Sequence, residues 1–150
     1  MKRNEVRVFI ESGVQELSPS VSFDSGRYTE FNSERNHVYP MAWLESISNN
    51  PDLFNSTNGF QVPMDHWKIV LHITYLDKQD SIPVQYEAII DQADYIAQQL
   101  QIIYNTIVSG FNMVTLESVS RIPFIKKHAD CLTGVVFSFI LSGPDTTNLC

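Results

Sequence analysis

The stretch SIPVQYEAIIDQADYIAQQLQIIYNTIVSG, residues 81–110, decides the fold that the rest of the chain must adopt. Its apolar residues recur at steps of three and four, the spacing that places side chains along one face of an α-helix. The residues between them are polar but carry little charge. The pattern predicts one long helix over about residues 83–109, with an apolar face of Tyr86, Ile89, Ile90, Ala93, Ile96, Ala97, Leu100, Ile103, Tyr104, Ile107 and Val108.

Both ends of this helix carry recognisable signals. Asp80 or Ser81 is placed to cap the first free N–H groups, and Pro83 suits the first turn. Gly110 is expected to adopt the left-handed conformation that stops a helix. At about 1.5 Å per residue the helix is roughly 40 Å long, which is enough to cross the whole body of a domain of this size. The other elements are therefore expected to pack against it.

The flanking sequence predicts a shorter helix and four strands. Residues 3–17 keep a helical spacing of apolar side chains, although Gly13 is a poor helix former and residues 6–10 also alternate as a strand would. The clearest strand, residues 67–75, places Trp67, Ile69, Leu71, Ile73 and Tyr75 toward the long helix and leaves Val70, His72 and Thr74 on a wet face. The other predicted strands are residues 38–47, 114–125, with an irregularity near 121–123, and 132–141.

This element order predicts an α+β fold in two layers. A four-stranded, mainly antiparallel sheet is expected to be packed on one side by the long helix, with the shorter N-terminal helix on the same face. Neither an internal repeat nor a linker interrupts the sequence, so residues 1–150 are interpreted as a single domain.

Two long segments, residues 18–37 and 48–66, are rich in turn-forming residues and show no sustained period. Isolated aromatic residues lie within them: Phe23, Tyr28 and Phe31 in the first segment, Phe54 and Phe60 in the second. Loops of this length within a compact domain tend to be functional or disordered. The aromatic residues either order against a partner subunit or hold the loops on their own domain, and the sequence leaves both interpretations open.

Composition excludes several classes of protein. The longest apolar run, near residues 135–141, is too short to cross a bilayer, and the amino end leads into no signal-peptide core. The chain is therefore expected to be made in the cytoplasm and to remain soluble. A net charge of −7 argues against a surface that grips nucleic acid. Cys131 and Cys150 are too far apart for a local metal site and are expected to be free thiols.

The sequence offers no motif for catalysis. The four histidines lack metal-ligand spacing, and the chain has no nucleophile elbow and no glycine-rich phosphate loop. We therefore predict no catalytic, cofactor-binding or metal-binding residues and no enzymatic activity. Two alternatives remain open: a small enzymatic or ligand-binding site assembled from His72, Asp77 and His128, and a monomeric adaptor that docks a partner on the glutamine-rich helix face around Gln92 and Gln99.

Four stretches together resemble a known group of proteins: VYPMAWLESI (38–47), WKIVLHITYLD (67–77), DQADYIAQQLQIIYN (91–105) and LTGVVFSFILSGPDTTNLC (132–150). They are similar to small tail-terminator or tail-completion proteins of tailed bacteriophages, above all to the neck and tail ring proteins of phages of Bacteroidetes, including crAss-like phages. The resemblance covers residues 1–15 and 38–150 and rests on element order and pattern.

The resemblance implies a structural protein of the virion. Subunits of such proteins form a ring, of six or twelve copies, in the neck or tail between portal and tail parts, and DNA passes through its channel without being specifically bound. The family offers no catalytic residues to carry over. Segments 18–37 and 48–66 depart from the simplest members. They are expected to be arms that clasp neighbouring subunits, with Phe23, Tyr28, Phe31, Phe54 and Phe60 as the predicted contact residues.

Overall fold

The computed structural model describes residues 1–26, 38–55, 59–127, 131–147 and 149. Tyr28, Phe31, His128 and Cys150, which the sequence analysis singled out, lie outside these residues. The described chain contains two helices, α1 (Arg3–Gln15) and α2 (Pro83–Val108). Its strands are β1 (Ser22–Ser25), β2 (Met41–Asn49), β3 (Asp52–Asn55), β4 (Gln61–Leu76), β5 (Thr115–Lys127) and β6 (Leu132–Pro144).

These strands form one six-stranded mixed sheet, so the prediction of a four-stranded antiparallel sheet is wrong. The order is β1-β2-β4-β6-β5, and β3 pairs with β4 outside this path. β1 runs parallel to β2, and the other pairs are antiparallel. The two missed strands, β1 and β3, have four residues each and lie in the predicted loops 18–37 and 48–66. Four residues are too few to show a recognisable alternation of apolar and polar side chains. Strands this short are stabilised by pairing with a longer neighbour rather than by their own sequence.

The α+β class agrees with the prediction, and both helices pack on the same face of the sheet. Their bounds differ from the predicted ones by one or two residues at the carboxyl ends. Trp67, Ile69, Leu71 and Ile73 point toward the helices, as the alternation in β4 predicts. They share one large core with the helices and the neighbouring strands, which contribute Val6, Phe9, Ile10, Leu44, Ala93, Leu100, Tyr104, Phe137, Phe139 and Leu141.

Gly13 sits in α1 because Tyr104 of α2 lies directly against it. A Cβ atom at Gly13 would be 2.1 Å from Cε1 of Tyr104. The Tyr104 ring packs between Phe9 and Phe139, and its hydroxyl donates a 2.8 Å hydrogen bond to the carbonyl oxygen of Ile10. Burial raises the pKa of Tyr104 well above its usual value. The residue that weakened the helix prediction is therefore the one that lets α2 approach α1.

The ends of α2 differ from the predicted ends. Its N-cap is Ile82, so neither Asp80 nor Ser81 caps the helix, and the side-chain oxygen of Gln85 accepts the Ile82 N–H at 3.1 Å. The helix stops at Ser109, and Gly110 does not adopt a left-handed conformation. The helix ends where its last carbonyl groups are satisfied by tighter turns through residues 109–111.

The opposite face of the sheet is not uniformly wet, which corrects the prediction for His72 and Thr74. Both side chains are buried, whereas Val70, on the same face of β4, is only partly buried. They lie on the side away from the described helices, within a second and smaller apolar cluster. That cluster consists of Met41, Trp43, Phe124 and Leu132, with Tyr39 and Val136 packed against it.

Strand β5 forms one edge of the sheet and is irregular in two places. Its register shifts between residues 117 and 120 and again between residues 124 and 127, rather than at the predicted positions 121–123. Ser118 and Lys126 have positive φ angles of 53° and 49° at these irregularities. Bulges and Pro123 on an edge strand disfavour pairing with further strands, so this edge is poorly suited to extending the sheet.

Candidate interaction surfaces

The five predicted contact residues do not share one environment. Phe60 is exposed, at 73% of its maximal surface, whereas Phe23 is half-buried against the main core. Phe23 therefore holds its strand on its own subunit, as the alternative interpretation of the loop expected. Tyr28 and Phe31 lie outside the described residues, and only the backbone of Phe54, in β3, is described.

Phe60 belongs to a hairpin arm, which we define as β3 together with residues 59–64. The register of this arm pairs Asp52 with Met64 and Asn55 with Gln61. Leu53 in the arm is also exposed, at 54%. Leu53 lies opposite Pro63 in this register, so Leu53 and Phe60 are two separate exposed apolar side chains of the arm rather than one patch. The clasp expected of segment 48–66 stays a prediction.

The base of the hairpin arm is held by a buried polar network around Asp65. The Asp65 carboxylate lies 3.3 Å from the α-amino group of Met1 and accepts a 2.9 Å hydrogen bond from Nδ2 of Asn49. The same amino group donates to the carbonyl oxygen of Asp145. His66, the next residue, shares a 2.7 Å hydrogen bond with Ser142. The arm thus projects from a fixed base, which lowers the entropy lost when it binds.

The residues of the alternative enzymatic site have separate partners. Nε2 of His72 lies 2.6 Å from the Glu45 carboxylate, at the point where β2 shifts register. The Asp77 carboxylate accepts a 2.6 Å hydrogen bond from Thr133 instead. His128 is outside the described residues. Within the described ranges, no group of three or more His, Cys, Asp or Glu side chains is arranged to hold a metal ion.

Asp77 lies in the hydrogen-bonded turn between β4 and α2 and lines a small surface pocket of about 200 Å³. Burial alone would raise its pKa, but hydrogen bonds from Thr133 and the Lys78 N–H, together with the charge of Lys126, lower the pKa below its usual value. The Lys126 ammonium also donates to the Ser81 carbonyl oxygen at 2.6 Å. These bonds fix the connection between β4 and α2. They explain Asp77 as a structural carboxylate.

The glutamine-rich face of α2 borders an apolar groove of about 420 Å³. On the helix side it is lined by Gln92 and Gln99 and, at the border with the outer face of α2, by Asp91 and Tyr95, and the residues that follow α1 line the other wall. Tyr75 lies on its floor, and partial burial raises the pKa of that phenol. The groove is the feature that the adaptor interpretation requires.

A basic cleft of about 390 Å³ lies where α1 meets β1 and β2. Arg3 and Arg7 line it, one helical turn apart, and so does Glu45, whose carboxylate lies 2.6 Å from Nε2 of His72. The Arg3 guanidinium donates a 2.6 Å hydrogen bond to the carbonyl oxygen of Ile47 and lies 5.7 Å from the ring centre of Trp67. Arg7 forms no hydrogen bond or ion pair with any residue that the structure describes. We call this site the basic cleft.

The outer face of α2, directed away from the sheet, combines apolar and acidic side chains. Val84, Tyr95 and Ile102 are exposed at 76%, 56% and 58%. Glu87 and Asp91 are exposed beside them. The sequence analysis counted this face as polar because it considered only the apolar stripe that faces the core. The sequence does carry a signal for this second face of α2. Alternating steps of four and three residues place positions 84, 88, 91, 95, 98 and 102 along one side of the helix.

The basic cleft was also missed, because its residues come from three elements distant in sequence. Their spacing shows that Arg3 and Arg7 lie on one side of α1. The other walls of the cleft form only when β1 pairs in parallel with β2, and the sequence does not show that pairing.

A scan of the sequence against protein-family models finds no match, and a search of curated proteins finds none either. Among the described residues, no helix is both long enough and apolar enough to span a membrane.

Proposed function

We propose that the protein is a structural component of the virion of a tailed bacteriophage, where its copies form a ring in the neck or tail. Such a ring joins the portal and head to the tail parts around the DNA channel. The protein is made in the cytoplasm of the bacterial host and then enters the particle. The sequence resemblance to tail-terminator and tail-completion proteins provides the starting point.

The hairpin arm is the observation that carries the proposal. A ring subunit must present at least one apolar surface that stays soluble before assembly and becomes buried afterwards. The exposed side chains Phe60 and Leu53 meet this requirement, and the anchored base formed by Asp65 holds them in a defined position. Aromatic residues on such a surface are the usual anchors of protein contacts.

The electrostatic balance agrees with a channel that lets DNA slide. With a net charge of −7, the subunit as a whole repels the phosphate backbone. DNA binding depends on clustered basic residues that displace counterions, and the two arginines of the basic cleft are few for that purpose. The ring is therefore proposed to guide DNA without binding it specifically.

The first experiment is to measure the solution mass of the purified protein over a concentration range by light scattering, with negative-stain images of each peak. Closed rings of six or twelve subunits are the expected result. The variant Phe60→Asp should weaken assembly at least about 10-fold, because it places a charge where an apolar anchor is buried. Met113→Asp, which adds the same charge at an exposed apolar residue away from the arm, is the matched control.

A monomer at every concentration contradicts self-assembly. The groove beside Gln92 and Gln99 then favours the second candidate, a monomeric adaptor. Replacing both glutamines by arginine should abolish capture of its virion partner in a pull-down, whereas Phe60→Asp should leave that capture unchanged.

A further inference from the structure

We propose that the outer face of α2 in one subunit docks into the basic cleft of the next subunit, with Glu87 and Asp91 facing Arg3 and Arg7. This inference rests on the proposed ring and names two surfaces that contribute to its contacts in addition to the hairpin arm. The occupant of the cleft is a second copy of the same chain.

Charge complementarity selects these two surfaces. Helix α2 has 26 residues and contains no lysine or arginine, so every charge on it is acidic. Asp94 is already engaged by Arg121 at 3.4 Å. Glu87 and Asp91 form no ion pair with any described residue, which leaves two exposed carboxylates on the outer face.

The spacing of the opposing groups also matches. Glu87 and Asp91 are four positions apart on α2, and Arg3 and Arg7 are four positions apart on α1. Side chains at this separation lie one above the other, about 6 Å apart at Cβ. Two helices laid side by side can therefore bring two guanidinium groups opposite two carboxylates. Arg3 is already held by the Ile47 carbonyl oxygen, so less of its side-chain freedom remains to be lost on binding.

Apolar side chains surround the charges on both surfaces. Val84 and Tyr95 flank Glu87 and Asp91 on α2 and are exposed in the subunit. Leu44 and Ile47 contribute to the wall of the basic cleft. Contact would remove Val84, Tyr95 and the exposed part of Ile47 from water, whereas Leu44 is already buried in the core. It would also lower the local dielectric around the ion pairs, which strengthens charge-assisted hydrogen bonds.

The two surfaces occupy different parts of the subunit, so contact between them is head-to-tail. The cleft lies at the β1 side of the sheet, whereas α2 packs over β4, β5 and β6. A head-to-tail contact adds subunits in one direction and closes into a ring when the rotation between copies is suitable. This is the kind of contact that the proposed function needs.

The test uses two charge reversals, Arg7→Glu and Asp91→Arg, in the full-length protein. Each variant alone places like charges across the contact and should weaken self-assembly about 100-fold, measured by light scattering. Lys78→Glu and Asp80→Arg, which make the same charge changes at exposed residues of the turn before α2, are the controls and should assemble as the unmodified protein does. Melting curves by circular dichroism establish that all four variants are folded.

Mixing the two reversal variants gives the decisive result. In an alternating array, one contact joins the reversed cleft to the reversed helix, and the next joins the unmodified cleft to the unmodified helix. Opposite charges then meet at every contact, so an equimolar mixture should regain assembly with both variants present one to one and an even number of subunits.

Four outcomes would overturn the inference. If the wild type assembles and both reversal variants assemble equally well, the ring proposal stands but these two surfaces do not form its contact. Reversals that weaken assembly without restoration on mixing show that Arg7 and Asp91 do not face each other. If Arg7→Glu abolishes binding of a duplex DNA in fluorescence anisotropy and leaves assembly intact, the cleft is a phosphate site instead. A wild-type protein that never assembles rejects the proposed self-assembly itself.

Discussion

The two faces of the central sheet differ in what buries them. On the helix-covered face, α1 and α2 enclose a large core that includes Tyr104 and Phe137. On the opposite face, a small cluster around Trp43 and Phe124 lies beside two buried polar side chains, His72 and Thr74. The first face is held mainly by apolar packing, with the Tyr104 hydroxyl bonded to the Ile10 carbonyl oxygen. The second combines packing with specific polar partners.

The difference explains why burial could be predicted from the sequence on the helix-covered face but not on the opposite face. Alternation along β4 separates apolar from polar residues, and it assumes that polar residues meet water. His72 escapes this assumption because Glu45 lies 2.6 Å from its ring. Thr74 escapes it because its hydroxyl donates a 3.1 Å hydrogen bond to the carbonyl oxygen of Met41. A buried polar group costs little when its hydrogen bonds are made.

The largest expected effect compares one residue type on both faces. Phe137→Ala should lower the free energy of unfolding by about 3–5 kcal/mol, because a fully enclosed ring leaves a cavity that the core cannot fill. Phe124→Ala should cost at most about 3 kcal/mol, since its cluster is small and lies on edge strand β5. Urea unfolding of both variants measures the difference. Equal losses would mean that the two faces are packed equally well.

A smaller effect is expected at the contact between the helices on the covered face. Gly13→Ala should destabilise the protein by about 1–3 kcal/mol, because the added methyl group overlaps the Tyr104 ring. By helix propensity alone the same change would be stabilising. Ser12→Ala, at an exposed position of the same helix, is the control and should be neutral or slightly stabilising in the same unfolding experiment. A stabilised Gly13→Ala variant would show that α2 does not need this close approach.

The smallest effect is expected at Asp77, in the turn that leads from β4 to α2 on the helix-covered face. The folded-state pKa of Asp77 is lowered, so its carboxylate stabilises the folded protein above the unfolded pKa of about 4. That stabilisation is lost as the pH falls through the folded pKa. Thermal melting should show Asp77→Asn less stable than wild type at pH 7, with the gap narrowing toward pH 2. Asp80→Asn is the control, and a gap that widens in acid would contradict the assignment.

Much of the fold could be predicted because long elements have periods of their own. The 26-residue helix α2, helix α1 and the alternating residues of β4 follow from apolar spacing, and the α+β class follows from their order. The strands β1 and β3 could not be predicted, because four residues carry no period and depend on their pairing partners. Of the two predicted contact residues whose side chains are described, Phe60 is exposed and Phe23 packs against the core of its own chain.

The sequence by itself determined which side chains α2 and β4 present to a common core, because helical and extended backbones repeat at set intervals whatever surrounds them. Only the tertiary structure decided which polar residues are buried, how many strands the sheet contains, and where Arg3 and Arg7 meet the walls of the basic cleft. These features depend on contacts between residues far apart in the chain. No local pattern encodes such contacts, since each partner acquires its role only when folding brings the other beside it.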